Sequence, residues 1–96
     1  MAKNNTIVTD VLNHVGDDIK SKWYVGIATD AQQRLFDDHN VSKDEGKWIY
    51  RKATSEQEAR DTEKYLLDNY DFKGGTGGGD KPVYVYAYKI TANTAE

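Results

Sequence analysis

Glu63 is the residue whose position most demands a chemical reason. At roughly 100° per residue, a helix over 55–70 puts Ala59, Leu66, Leu67 and Tyr70 within one arc, and Glu63 falls inside it. The acids Glu58, Asp61 and Asp68 lie on the opposite side. A carboxylate on the face turned toward a core is costly unless it is paired, hydrogen-bonded or bound to metal. The periodicity leaves two readings open: a cation from the sheet neutralises Glu63, or Glu63 belongs to a site. Tyr24 and Arg34 form a second constellation, ten residues apart, with strand pattern around the tyrosine and helix pattern around the arginine. Such a helix can carry a guanidinium back toward the phenol. Other chemistries drop out. The chain has no cysteine, which removes thiolate catalysis, disulfides and cysteine-ligated zinc. Two histidines without a nucleophile-elbow pattern assemble no Ser-His-Asp site. His14 lies beside an apolar stripe with no second metal-type residue at helical spacing, and reads as a surface or packing histidine.

The elements that must position these groups follow from periodicity. Trp23, Val25 and Ile27 alternate with Tyr24, Gly26 and Ala28, predicting a strand over 22–28. Gly26 inside it predicts that something approaches the backbone closely. Asp30 offers an N-cap, and Gln33 completes a capping box for a helix over 30–39. Ahead of the strand, Ile7, Val8, Val11, Leu12 and Val15 form a helical stripe over 6–15. Asn5 is expected to cap its start, and Gly16 to close it in the left-handed conformation. A polar loop, Asn40 to Gly46, leads to an aromatic and β-branched strand over 47–53. Ser55 and Glu58 then cap the long helix that carries Glu63. The glycine run from Gly74 to Gly79 lacks the Lys-Ser or Lys-Thr of a phosphate loop and reads as a slack connection. A third strand follows from Pro82 to Ile90, in which Tyr84, Tyr86 and Tyr88 share a face. The tail from about Thr91 is expected to fray. The order α-β-α-β-α-β predicts one α+β domain over 1–96. Its small, mainly antiparallel three-stranded sheet is packed by about three helices, with the last strand beside the first.

Bulk composition narrows the function classes. At 38% hydrophobic and 30% charged residues, the chain can fill one modest core. No apolar run approaches about 18 residues. The start, Met-Ala-Lys-Asn-Asn-Thr, lacks a signal-peptide core, so a cytoplasmic location and no membrane partner are expected. Net charge is −3, which argues against a dedicated nucleic-acid surface. Yet Lys20, Lys22, Lys47, Arg51, Lys52, Lys81 and Lys89 all fall in the stretches 19–28, 46–53 and 81–90 that carry the strands.

Tyr24-Val25-Gly26, Arg34, the Trp48 and Tyr50 strand, and Ala59-Arg-Asp-Thr-Glu63 together resemble the core of the GIY-YIG nuclease superfamily, over residues 22–68. The resemblance implies metal-dependent phosphodiester hydrolysis. In it, Glu63 would hold Mg²⁺ or Mn²⁺, Arg34 would stabilise phosphate charge, and Tyr24 would relay a proton. There are departures. No Gly-Ile-Tyr strand precedes Tyr24. His39 stands five residues after Arg34 rather than the family's usual four. Ala28 replaces a threonine, and the downstream asparagine has no counterpart. The last strand can fill the vacant place, with Tyr86 or a neighbour standing near Tyr24, although three same-face tyrosines read first as core. The candidate site is therefore Tyr24, Arg34 and Glu63, with His39 and Tyr86 as further members. The expected function is a divergent, catalytically impaired domain that binds nucleic acid or a nucleotide without a cofactor, Arg34 neutralising Glu63. The alternatives are an active Mg²⁺- or Mn²⁺-dependent nuclease and a protein-interaction module. Protein partners and oligomeric state stay open.

Overall fold

A computed structural model describes residues 3–44, 46–74 and 81–94. Helix α1 spans Asn5–Val15. Its N-cap is Asn4, one residue earlier than expected, and the reason is tertiary. Asn4 Oδ1 accepts from the Ile7 N–H at 3.0 Å, as a cap should. Its Nδ2 donates to Glu58 Oε1 at 2.9 Å, and its backbone N–H donates to Thr62 Oγ1 at 2.9 Å. The residue that starts α1 thus also fastens it to helix α2, Glu56–Asn69. Gly16 ends α1 at φ 62° and ψ −132°, a positive φ but outside the left-handed helical well.

Strands β1 (Trp23–Ala28), β2 (Trp48–Lys52) and β3 (Tyr84–Lys89) form an antiparallel sheet in the order β1-β3-β2. The C-terminal strand is therefore the central one. Its sequence suits that place, because Val85 and Ala87 supply one buried face and Tyr86 and Tyr88 the other. Helices α1 and α2 cover the face built by Trp23, Val25, Ile27, Ile49, Val85 and Ala87. The opposite face, with Tyr24, Ala28, Tyr86 and Tyr88, is covered by Ala31, Leu35 and Val41. β1 is buried along its whole length. Its outer edge is paired at the start by Lys73, whose carbonyl accepts from the Val25 N–H and whose N–H donates to the Trp23 carbonyl, both at 2.9 Å.

Two of the expected caps form, one of them with an altered partner. Ser55 accepts from the Glu58 N–H at 3.1 Å, but the Glu58 carboxylate returns to Thr54, not to Ser55. Asp30 Oδ1 accepts from the Gln33 N–H at 3.1 Å as anticipated. The helix that follows is not α-helical: Gln33–Asp38 is wound as a π-helix, and the His39 N–H donates to the Arg34 carbonyl at 2.8 Å. Thr91 and Thr94 close a turn, and Asn40 Nδ2 donates to the Asn93 carbonyl at 2.8 Å. Of the glycine run, only Gly74 lies within the described residues. Among those residues no helix is long and apolar enough to cross a membrane.

Candidate functional site

Gly26 faces Tyr86 across the β1–β3 pair, and the phenol lies flat over it. A Cβ built at position 26 would sit 2.5 Å from the Tyr86 hydroxyl and 2.6 Å from Cζ. The close approach that a glycine in mid-strand implies is thus the approach of this side chain. Only glycine lets the ring lie across β1. The Tyr24 ring runs nearly parallel to it, 17° between planes and 6.3 Å between centroids, and stacks more closely on Tyr88 at 5.2 Å.

His39 closes the cluster from the helical side. Its Nε2 is 2.8 Å from the Tyr86 hydroxyl, and its Nδ1 is 3.1 Å from the Tyr88 hydroxyl. The ring also lies 4.8 Å from that of Tyr24. The π winding makes this arrangement reachable. In an α-helix a residue five after Arg34 would have turned past its face, whereas a helix bonded i to i+5 brings it back over Arg34. The surplus residue between Arg34 and His39 is absorbed by the wider turn.

Arg34 lies beside the Tyr86 hydroxyl, which holds its guanidinium above the usual arginine range, and forms an ion pair with Asp38 Oδ2 at 3.6 Å, too long for a hydrogen bond. Its buried Nε has no hydrogen-bond partner. Glu63 is half-buried on α2. Burial pushes its carboxyl up to about 7, offset only in part by Arg60. The arginine expected to neutralise Glu63 is committed elsewhere, to Tyr86 and Asp38. The impaired-site ion pair between Arg34 and Glu63 is therefore absent among the described residues.

Tyr86 is where these groups meet. Burial pushes its phenol up to about 12. Arg34 beside it pulls it down, and the charges of Tyr24 and Glu63 raise it further. His39 reaches this hydroxyl by hydrogen bond and Tyr24 stacks beside its ring, with Arg34 acting on it by charge, whereas Glu63 contributes only the smallest charge effect and makes no hydrogen bond to it among the described residues. Their accessibility differs. Tyr86 is 1%, His39 4% and Tyr24 8% exposed, while Arg34 and Glu63 reach further into solvent.

Among the described residues, no three of His, Cys, Asp and Glu converge to hold a metal. A cation at Glu63 would have one protein carboxylate and water for its remaining ligands, a donor set that suits Mg²⁺. Two residues that the sequence reading left out of the site belong to it. Tyr88 is the second partner of His39, signalled only by its alternation with Tyr86. Asp38 is the partner of Arg34, signalled by the i,i+4 spacing. Comparison with family models, curated proteins and solved structures returned no match.

Proposed function

We propose that this chain is a rearranged GIY-YIG-like domain that hydrolyses phosphodiester bonds in nucleic acid with the help of Mg²⁺ or Mn²⁺. The observation that carries the reading is the Tyr86 hydroxyl, held over Gly26, bonded to His39 and flanked by Tyr24, with Arg34 acting on it by charge. Two of the departures that argued for an impaired site have a structural counterpart, while Ala28 and the missing asparagine have none. The missing first strand is answered by β3, which lies beside β1 and brings phenols onto Tyr24. The long Arg34–His39 spacing is answered by the π turn. The unneutralised Glu63 is left available for a cation.

The roles follow from the chemistry of each group. Arg34, with a buried Nε lacking a hydrogen-bond partner, would bind a phosphate and stabilise the charge that gathers on it. Tyr86 stays protonated at neutral pH, so it acts as a relay and not as a phenolate base. With the Arg34 guanidinium beside its oxygen, the phenolic hydrogen would go to His39 Nε2, and the Nδ1–H would then donate to Tyr88. In that tautomer a proton taken by Tyr86 can pass to His39. Glu63 would hold the hydrated cation, which when bound would neutralise phosphate charge and lower the pKa of an attacking water.

A second reading, a relic that binds nucleic acid without cutting it, is favoured by the burial of Tyr24, His39 and Tyr86. One experiment separates the two. Labelled single- and double-stranded DNA and RNA are incubated with the protein in EDTA, Mg²⁺ or Mn²⁺, beside Glu63→Gln and Arg34→Ala. Metal-dependent cleavage lost in both variants is the expected result. Binding without cleavage in any metal selects the relic, and neither binding nor cleavage overturns both readings.

A further inference from the structure

The sheet face that carries Tyr86 is only partly covered. Toward β2 it exposes a set of half-buried rings. Trp48 and Tyr50 lie with planes 10° apart and centroids at 6.0 Å, and Tyr84 meets Tyr50 edge-on at 74° and 6.0 Å. Between Tyr50, Tyr84 and the segment that leaves β1 opens a cleft of about 420 Å³, lined by Thr29, Asp30, Ala31, Gln32, Tyr50 and Tyr84. Two tyrosine rings set edge-on to each other line it together with polar residues. Gln32 Nε2 donates to the Tyr50 hydroxyl at 2.9 Å, with the Asp30 carboxylate and the Thr29 hydroxyl beside it. Lys52 is exposed and pairs in register with Tyr84, which places its side chain on the same face. Tyr84 stands two residues from Tyr86 on one face of β3, so the cleft opens about 7 Å along the strand from the phenol on which Arg34 acts.

A flat π-faced group with hydrogen-bonding edges suits the two rings and the polar side chains of this lining, and a phosphate attached to it would look outside the lining to Lys52 and Arg34. We propose that the cleft receives an unstacked base of single-stranded nucleic acid while the neighbouring phosphate lies at Arg34. This rests on the phosphodiester reading above and names its substrate class. The bases of a duplex are already stacked and paired, so a duplex cannot offer the ligand without paying to extrude it. Stacking a base on an aromatic side chain changes affinity about 5- to 150-fold per base.

The test is fluorescence anisotropy in EDTA, with a labelled DNA strand of about ten nucleotides and its duplex as probes. The proteins are the wild type, Tyr84→Leu, Tyr50→Phe and Arg34→Ala. The expected result is that the single strand binds at least about tenfold more tightly than the duplex. Tyr84→Leu should lose about 5- to 150-fold on the single strand only, and Tyr50→Phe, which keeps the ring, should bind much as the wild type does. Arg34→Ala should weaken both probes. Should Tyr84→Leu fail to fold, Tyr50→Ser on the edge strand serves in its place. Equal affinity for the two probes, or a Tyr84→Leu (or Tyr50→Ser) variant that binds the single strand as the wild type does, overturns the base cleft and leaves the phosphodiester reading standing. A wild type that binds neither probe overturns the cleft and that reading together.

Discussion

A Cβ at position 26 would lie within 3.0 Å of three atoms of the Tyr86 ring and hydroxyl, and a ring pinned between Tyr24 and His39 has little room to give. Gly26→Ala is therefore expected to cost about 1–3 kcal/mol by overpacking, roughly 4–8 °C of melting temperature per kcal/mol for a domain of this size. The same substitution made on Tyr86→Leu should cost clearly less, because the clashing atoms are gone. Thermal denaturation of the two single variants and the double variant measures that coupling. Glu63 gives a prediction of opposite sign. Its folded pKa, about 7, lies above the reference value of 4.5, so the folded state binds the proton more tightly than the unfolded chain does. Stability from this group is present at low pH and is lost as pH rises from about 4.5 to about 7. Glu63→Gln should remove that slope and raise the melting temperature at pH 8, by the equivalent of about 1 kcal/mol once solvent screening at a half-exposed carboxyl is allowed for. A melting series across pH, with and without Mg²⁺, reads it. If Glu63 holds the cation, Mg²⁺ should raise the wild-type melting temperature and leave Glu63→Gln unmoved.

At the scale of elements, the site depends on a strand and a turn that do different jobs. β3 lies between β1 and β2, which pair with it and not with each other. Deleting residues 81–96 therefore removes the sheet's only shared partner along with Tyr86 and Tyr88, and leaves strands that are not stable alone. Such a truncated chain should show no cooperative thermal transition by circular dichroism; one that kept it would contradict the topology. The π turn is a local device. π turns cluster at functional sites because one added residue re-aims the side chains that follow. Here the added residue sets His39 over Arg34 and between two phenols. The turn's cover, Leu35 packed with Ala31 and Val41 over the tyrosine face, keeps that network dry.

Across the whole molecule, the basic strand ends are less free than their composition suggests. Arg51 is paired with Asp10 at 3.1 Å and Lys89 with Asp18 at 2.7 Å. Arg60 and Lys64 are paired along α2 with Glu56 and Asp68. With a net charge of −3, a single strand seated at the proposed cleft would be held by few charged contacts, Arg34 and Lys52 foremost. Single-strand affinity should then fall with salt at a log–log slope of only about −1.4, two phosphates' worth, and Arg34→Ala should bring it to about −0.7. Anisotropy titrations at several salt concentrations give the slope directly. A much steeper value would mean a broad basic surface rather than this site.

The sequence by itself determined the element order, the facing of Tyr84, Tyr86 and Tyr88, and the close approach at Gly26. These rest on local periodicity and on one residue's missing Cβ, which neighbours along the chain suffice to encode. It also singled out Glu63, since a carboxylate in an apolar arc is visible from helical spacing alone. What approaches Gly26, and that the last strand pairs with β2 as well as with β1, were decided by tertiary structure. Tyr86 and Gly26 are 60 residues apart and meet only because β3 inserts between β1 and β2. Likewise Asn4 caps α1 because α2 supplies Glu58 and Thr62 to its other atoms. The π turn was hidden for the same reason. Capping chemistry at Asp30 marks where a helix begins, but the width of its winding is chosen by the contacts it must reach, His39 with Tyr86 and Tyr88 above all.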